Sequence, residues 1–166
     1  MGNGEWGVGN GSSGTPFPTP YSPLPLLSLF PETMNVGKIG ESEAVALLER
    51  RGYGVIDVNV RFGARSGLVG ELDIVAWDGG TLCFVEVKTR RGTVGRVAPG
   101  ENVTPAKQRQ IARLASAYLG RANLGDDDSL SVRFDVVTVI LAHGESGRIL
   151  QTELLCGAFL APDGEI

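Results

Sequence analysis

Residues 70–90 read GELDIVAWDGGTLCFVEVKTR. Two β-rich runs, Glu71 to Trp77 and Thr81 to Lys88, flank Asp78-Gly79-Gly80, and that turn chemistry predicts a β-hairpin. Side chains alternate along a strand, so Leu82, Phe84, Glu86 and Lys88 share one face of the second run, and Cys83, Val85 and Val87 the other. Both faces are apolar over most of its length, which predicts burial on both sides. An acid and a lysine at the end of such a strand need partners or an ion, because unpaired buried charge is costly. In the first run Glu71 and Asp73 are expected on one face, at the end away from the turn.

The turn sets which residues meet. A two-residue Gly79-Gly80 loop pairs Asp78 with Thr81, placing Asp73 opposite Glu86 and Glu71 opposite Lys88. A two-residue Asp78-Gly79 loop makes Asp73 and Glu86 diagonal neighbours instead. Opposite Cβ atoms lie about 4.5–5.5 Å apart and diagonal ones roughly 7 Å, so both registers let one ion reach both carboxylates. A three-residue loop would put them on opposite faces. Two carboxylates beside a lysine, without Cys or His, form a donor set for a hard divalent ion, Mg²⁺ or Mn²⁺. Lys88 can hold a water or a phosphate oxygen next to that ion. The plainer alternative is an ion pair between Lys88 and Glu71 or Glu86.

Outward from the hairpin, Glu41 to Arg51 has apolar residues at helical spacing and stops at Gly52, and Val55 to Phe62 is a β-branched strand. Thr104-Pro105 supplies an N-cap and a first-turn proline for a helix whose stripe is Ile111, Leu114, Ala115, Tyr118 and Leu119. Val132 to Leu141 and Ile149 to Cys156 read as strands. The order α-β-β-β-α-β-β predicts an α/β domain around a mixed β-sheet flanked by helices. Residues 1–33, rich in Gly, Ser, Thr and Pro, are expected to be a disordered tail. One domain is expected over 34–166, with Met34 as its natural translation start. Leu24 to Phe30 is too short for a span and lacks a basic flank, so neither membrane insertion nor a signal peptide is expected, and the location is expected to be cytoplasmic.

The 166 residues are 42% hydrophobic and 20% charged, with a net charge of −4, which argues against non-specific coating of nucleic acid. Collagen-like and wholly disordered chains are excluded by the ordinary apolar content. Cys83 and Cys156 cannot form a disulfide framework, and both are expected to be small buried residues. Charge is unevenly spread: residues 88–121 carry eight Lys and Arg against Glu101 alone. Such a block is suited either to phosphate contacts or to a solvated helix face. Lys107 lies on the line of the apolar stripe in the first turn, so it can reach toward the acids. Arg109 and Arg113, four apart, share an exposed face suited to a nucleic-acid backbone. Arg90, Arg91 and Arg96 are expected in a loop past the acids. His143 has no nucleophile placed near it, and Asp126-Asp127-Asp128 lacks calcium-loop spacing, so neither is expected to carry chemistry.

An acid followed on the next strand by Glu-x-Lys resembles the PD-(D/E)XK nuclease superfamily. The ordered set Gly37-Lys38-Ile39-Gly40-Glu41 with Ala44, Asn59-Val60-Arg61, Gly70 to Ala76, Phe84 to Arg90, Lys107-Gln108 and Arg133-Phe134-Asp135-Val136-Val137 resembles the bacterial YraN-like family. That family is similar to archaeal Holliday-junction resolvases. The resemblance implies a restriction-endonuclease-like core, with Asp73, Glu86 and Glu41 as metal ligands. It also implies that Lys88 positions the attacking water. The activity expected is metal-dependent hydrolysis of DNA phosphodiesters, with branched DNA and a homodimer as expected partners. Lys107, Arg109, Arg113 and Arg90 are the candidate nucleic-acid contacts. The rival expectation is a non-catalytic nucleic-acid or protein-binding module that retains the fold.

Overall fold

A computed structural model describes residues 35–63, 67–94, 103–125, 129–144 and 147–161. The tail 1–33, Arg96 and the aspartates 126–128 lie outside the described residues. The hairpin forms as β2 (Gly70–Asp78) and β3 (Thr81–Arg91), and Asp78 faces Thr81 across Gly79-Gly80. Gly79 has φ +57, a conformation that is strained for residues with a Cβ. Of the two registers open from the sequence, the structure takes the one in which Asp73 and Glu86 fall opposite each other.

Helix α1 (Val36–Arg50) precedes β1 (Gly54–Phe62), and α2 (Pro105–Arg121) leads into β4 (Ser131–Leu141) and β5 (Ile149–Phe159). The sheet runs β1-β2-β3-β4-β5. Among the described residues only β3 and β4 pair in parallel, so the connection between them must cross over, and α2 lies in that crossover. The mixed sheet with its two helices has the order read from the sequence and is consistent with a restriction-endonuclease-like fold.

Helix α1 begins earlier than Glu41. Asn35 caps it, its side chain accepting from the Gly37 N–H at 3.0 Å. Gly37 and Gly40 hide this first turn from a propensity reading, since each glycine costs about 1 kcal/mol in a helix interior. Gly40 has a packing reason: a Cβ there would sit 1.6 Å from Thr89 Oγ1. Helix α1 therefore approaches β3 as closely as a glycine allows. For α2, Thr104 accepts from the Lys107 N–H at 3.3 Å and Pro105 starts the helix, as the cap signature predicts.

Each face of the sheet buries one core. Leu82, Phe84, Val75, Phe134 and Val136 pack against Ile111, Leu114, Ala115 and Leu119 of α2. Ile74, Cys83, Val85, Val137 and Val139 pack against Ala44, Leu47 and Leu48 of α1. Strand β3 contributes to both cores, as its doubly apolar pattern requires. Truncating its fully buried Phe84 to alanine is expected to cost about 3–5 kcal/mol. Cys83 is buried, but Cys156 is exposed, contrary to expectation. It lies on β5, the edge strand of the sheet among the described residues.

Candidate metal and phosphate site

Backbone pairing between β2 and β3 runs from Asp78↔Thr81 to Ile74↔Val85 and stops there. At the next position the Asp73 side chain takes over, its Oδ2 accepting from the Val87 backbone N–H at 2.7 Å. Across from it Glu86 is buried, with a side chain 5% exposed. Lys88 Nζ lies 2.6 Å from Glu86 Oε1, and Lys107 Nζ 3.2 Å from Oε2. The first turn of α2 thus reaches the acids, as its place on the apolar line leads one to expect. The Lys88–Glu86 ion pair weighed from the sequence is present as well.

Burial pushes the Asp73 carboxyl up to about 6, and the neighbouring Glu86 adds to the rise. The Val87 N–H, Lys107 and Lys88 pull the other way without cancelling it. Two acids crowded on one half-buried edge, held by two ammonium groups, form an electrostatically loaded site. Their oxygens are the donor type taken by hard cations, and a small divalent ion commonly uses one or two carboxylates plus water and phosphate.

Other expected members lie elsewhere. Glu71 does not face Lys88; Arg61 Nε donates to its Oε2 at 3.0 Å, and it sits opposite Arg61 in the β1–β2 pairing. The reason is a change of face within β2. Leu72 and Val75, three apart, both enter the α2-side core, so Glu71 and Asp73 do not share a face as a regular strand would make them. Glu41 comes from α1, and its Oε2 accepts from Asn59 Nδ2 at 3.2 Å. Among the described residues, no three His, Cys, Asp or Glu side chains are grouped so as to hold a metal ion together.

Arg109 and Arg113 line a groove of about 390 Å³ between α2 and residues 67–69, with Leu68, Gln110 and Leu114. Gln110 Nε2 donates to the Val69 carbonyl at 3.2 Å, tying the helix to that segment. Arg90 is exposed at the far end of β3 and is in the strand rather than in a loop. Arg91 is also in β3 and donates to the carbonyls of Ala142 and Gly144. His143 is exposed.

A buried polar cluster was not foreseen. Asp135, fully buried, accepts from Arg133 at 2.8 and 2.9 Å, from the Gly157 N–H at 2.8 Å and from Tyr53 at 3.4 Å. Arg133 also donates to Asp78 at 2.8 Å and to the Tyr53 hydroxyl at 2.7 Å. Its hydrogen bonds to Asp135 hold its pKa above the ordinary arginine value. The only sequence signal was Arg133-x-Asp135, whose alternation puts both on one face of β4. Their partners lie about 80 residues or more away in Tyr53, and in the turn and the last strand.

The sheet, the crossover helix and the acid, Glu-x-Lys edge place the chain in the PD-(D/E)XK nuclease superfamily. A family model described as "Uncharacterised protein family UPF0102" matches residues 40–139. The protein belongs to this UPF0102 family, the YraN-like family of the sequence reading. A UPF0102 protein of Symbiobacterium thermophilum is 52% identical over 126 residues, covering 76% of this chain and 97% of the relative. One from Chlorobaculum parvum is 42% identical over 130 residues, covering 77% and 94%. One from Geobacter sulfurreducens is 46% identical over 114 residues, covering 69% and 82%.

Proposed function

We propose that this protein hydrolyses DNA phosphodiester bonds with Mg²⁺ or Mn²⁺, and that Asp73 and Glu86 hold the ion. The observation that carries the reading is the pairing of those two carboxylates at one strand end, with Lys88 and Lys107 converging on Glu86. A bound divalent ion supplies Lewis-acid polarisation of the phosphate and lowers the pKa of the attacking water. The chain's own groups do the rest. Asp73, anchored by the Val87 N–H through Oδ2, presents Oδ1 as a donor. Lys88 leaves Glu86 to hold the attacking water, and Lys107 turns toward a phosphate oxygen. Glu41 serves as a further acid from α1. Arg109 and Arg113 along the α2 groove, with Arg90, hold the nucleic-acid backbone. Branched DNA is the substrate class, and a homodimer supplies the second of two symmetric cuts. The working compartment is the cytoplasm; among the described residues no helix is long and apolar enough to cross a membrane.

One observation favours a second reading, a non-catalytic binding module: both Glu86 oxygens are already engaged by lysines. Cleavage of labelled linear, flap and four-way-junction DNA with Mg²⁺ or Mn²⁺ separates the two. Metal-dependent cutting that disappears in Asp73→Ala and Lys88→Ala establishes the nuclease. Junction binding without cutting establishes the module.

A further inference from the structure

Asn59 is one of two non-glycine residues among those described with positive φ, at 54°. It lies in the middle of β1, where extended backbone is the default. Asparagine tolerates this left-handed region better than most residues, but a β-strand rarely asks for it. The surrounding pairs are Val58↔Ile74 and Val60↔Leu72, so Asn59 falls across from Asp73. That is also where β2 changes face between Leu72 and Val75. The Asn59 amide spends its reach on Glu41, a residue 18 positions earlier on α1. Gly40, beside Glu41, is what brings that helix onto Thr89, two residues beyond the Val87 N–H that holds Asp73.

We propose that Asn59 is a positioning residue that holds Glu41 at the Asp73 end of the sheet, so that Glu41 joins Asp73 and Glu86 when a divalent ion binds. This rests on the metal-dependent reading above. Asp73 and Glu86 stand on the α2 side of the sheet, whereas Glu41 arrives from the α1 side. An amide donor engages one oxygen of Glu41 and leaves the other available, and it does so without adding a competing charge. The strained backbone at residue 59 is what turns the amide toward the helix.

The test is calorimetric titration of the full chain with Mn²⁺ alone, without DNA, accompanied by metal-free melting curves. Asn59→Gly keeps the left-handed backbone accessible and removes the amide. Glu41→Gln keeps an acceptor for Asn59 and removes the charge. Each is expected to weaken Mn²⁺ binding about tenfold, the scale on which partners of metal ligands act. The double variant is expected to bind no more weakly than Glu41→Gln alone. Wild-type affinity in Asn59→Gly, whatever its melting temperature, overturns the proposal, and so does wild-type affinity in Glu41→Gln. In either case, loss of binding in Asp73→Asn leaves the two-carboxylate reading standing. A wild-type chain that takes up no Mn²⁺ overturns both.

Discussion

The Asp73 carboxylate bonds the Val87 backbone N–H at 2.7 Å, one position past the last backbone pair of the β2–β3 ladder. A side chain thus continues what the backbone leaves off, and β3 runs on beside β4 with its end still tied to β2. The same contact fixes one oxygen of the acid, whose charge is felt by Glu86, Lys107 and Lys88.

The raised Asp73 pKa makes stability depend on pH. Its native value of about 6 exceeds the ordinary 3.8, so the folded state favours the protonated acid. Below about pH 4 that contribution is fully present, and it is lost as pH rises through about 6. The upper bound is roughly 3 kcal/mol. Metal-free urea unfolding of wild type and Asp73→Asn between about pH 4 and 8 reads it. The variant's advantage is expected to grow with pH and level off above about 7; a constant gap would contradict the assignment.

Glu86 has two cationic partners, so losing one should be tolerated and losing both should not. Lys88→Ala and Lys107→Ala are each expected to cost about 1 kcal/mol of stability. The double variant leaves a buried carboxylate without a partner, at about 3–5 kcal/mol. The excess over the two single changes, read from denaturant midpoints, measures the coupling. Additivity would mean that water already serves the acid.

At Gly40 the contact with Thr89 leaves no room for a methyl group. Gly40→Ala should destabilise by about 1–3 kcal/mol, although alanine is the better helix former. Thr89→Ala in the same chain removes Oγ1 and Cγ2 but keeps the Cβ at 2.8 Å, so it should recover part of the loss. A Gly40→Ala chain that melts at or above wild type would show that α1 can back away from β3 at no cost.

Asp135 offers a stability prediction on the face of the sheet away from Glu86. Asp135→Ala removes the acceptor of the Gly157 N–H and leaves Arg133 only Asp78 and the Tyr53 hydroxyl, and a loss of about 3 kcal/mol is expected. Thermal unfolding checks it. Mn²⁺ affinity of the folded variant is expected to stay at the wild-type level, because Asp135, although paired with Val85 beside Glu86, turns to Tyr53 on the α1 side while Glu86 meets Lys107 on the α2 side.

Much of this arrangement is legible locally. The glycine turn limits the hairpin to few registers, alternation places Glu86 and Lys88 together, and Thr104-Pro105 fixes where α2 starts and hence where Lys107 points. What is not legible arises where a strand stops being regular. Nothing in Glu71-Leu72-Asp73 announces the change of face that sends Glu71 to Arg61. Asn59 sits inside a β-branched run that reads as plain strand. The start of α1 is masked by Gly37 and Gly40, and the reason for Gly40 is Thr89, nearly 50 residues away. Asp135 finds partners on three other segments, which a linear reading cannot assemble.

The parallel pairing of β3 with β4 has a kinetic side. A hairpin closes within microseconds, but a crossover must first span the residues between Arg91 and Ser131. Until α2 docks, the young hairpin carries Asp73 and Glu86 face to face with Lys88 as their sole counter-charge. The arrival of Lys107 relieves that repulsion in the same event that closes the Phe84–Leu114 core. Assembly of the charged edge is therefore complete only once the crossover helix has brought Lys107 to Glu86.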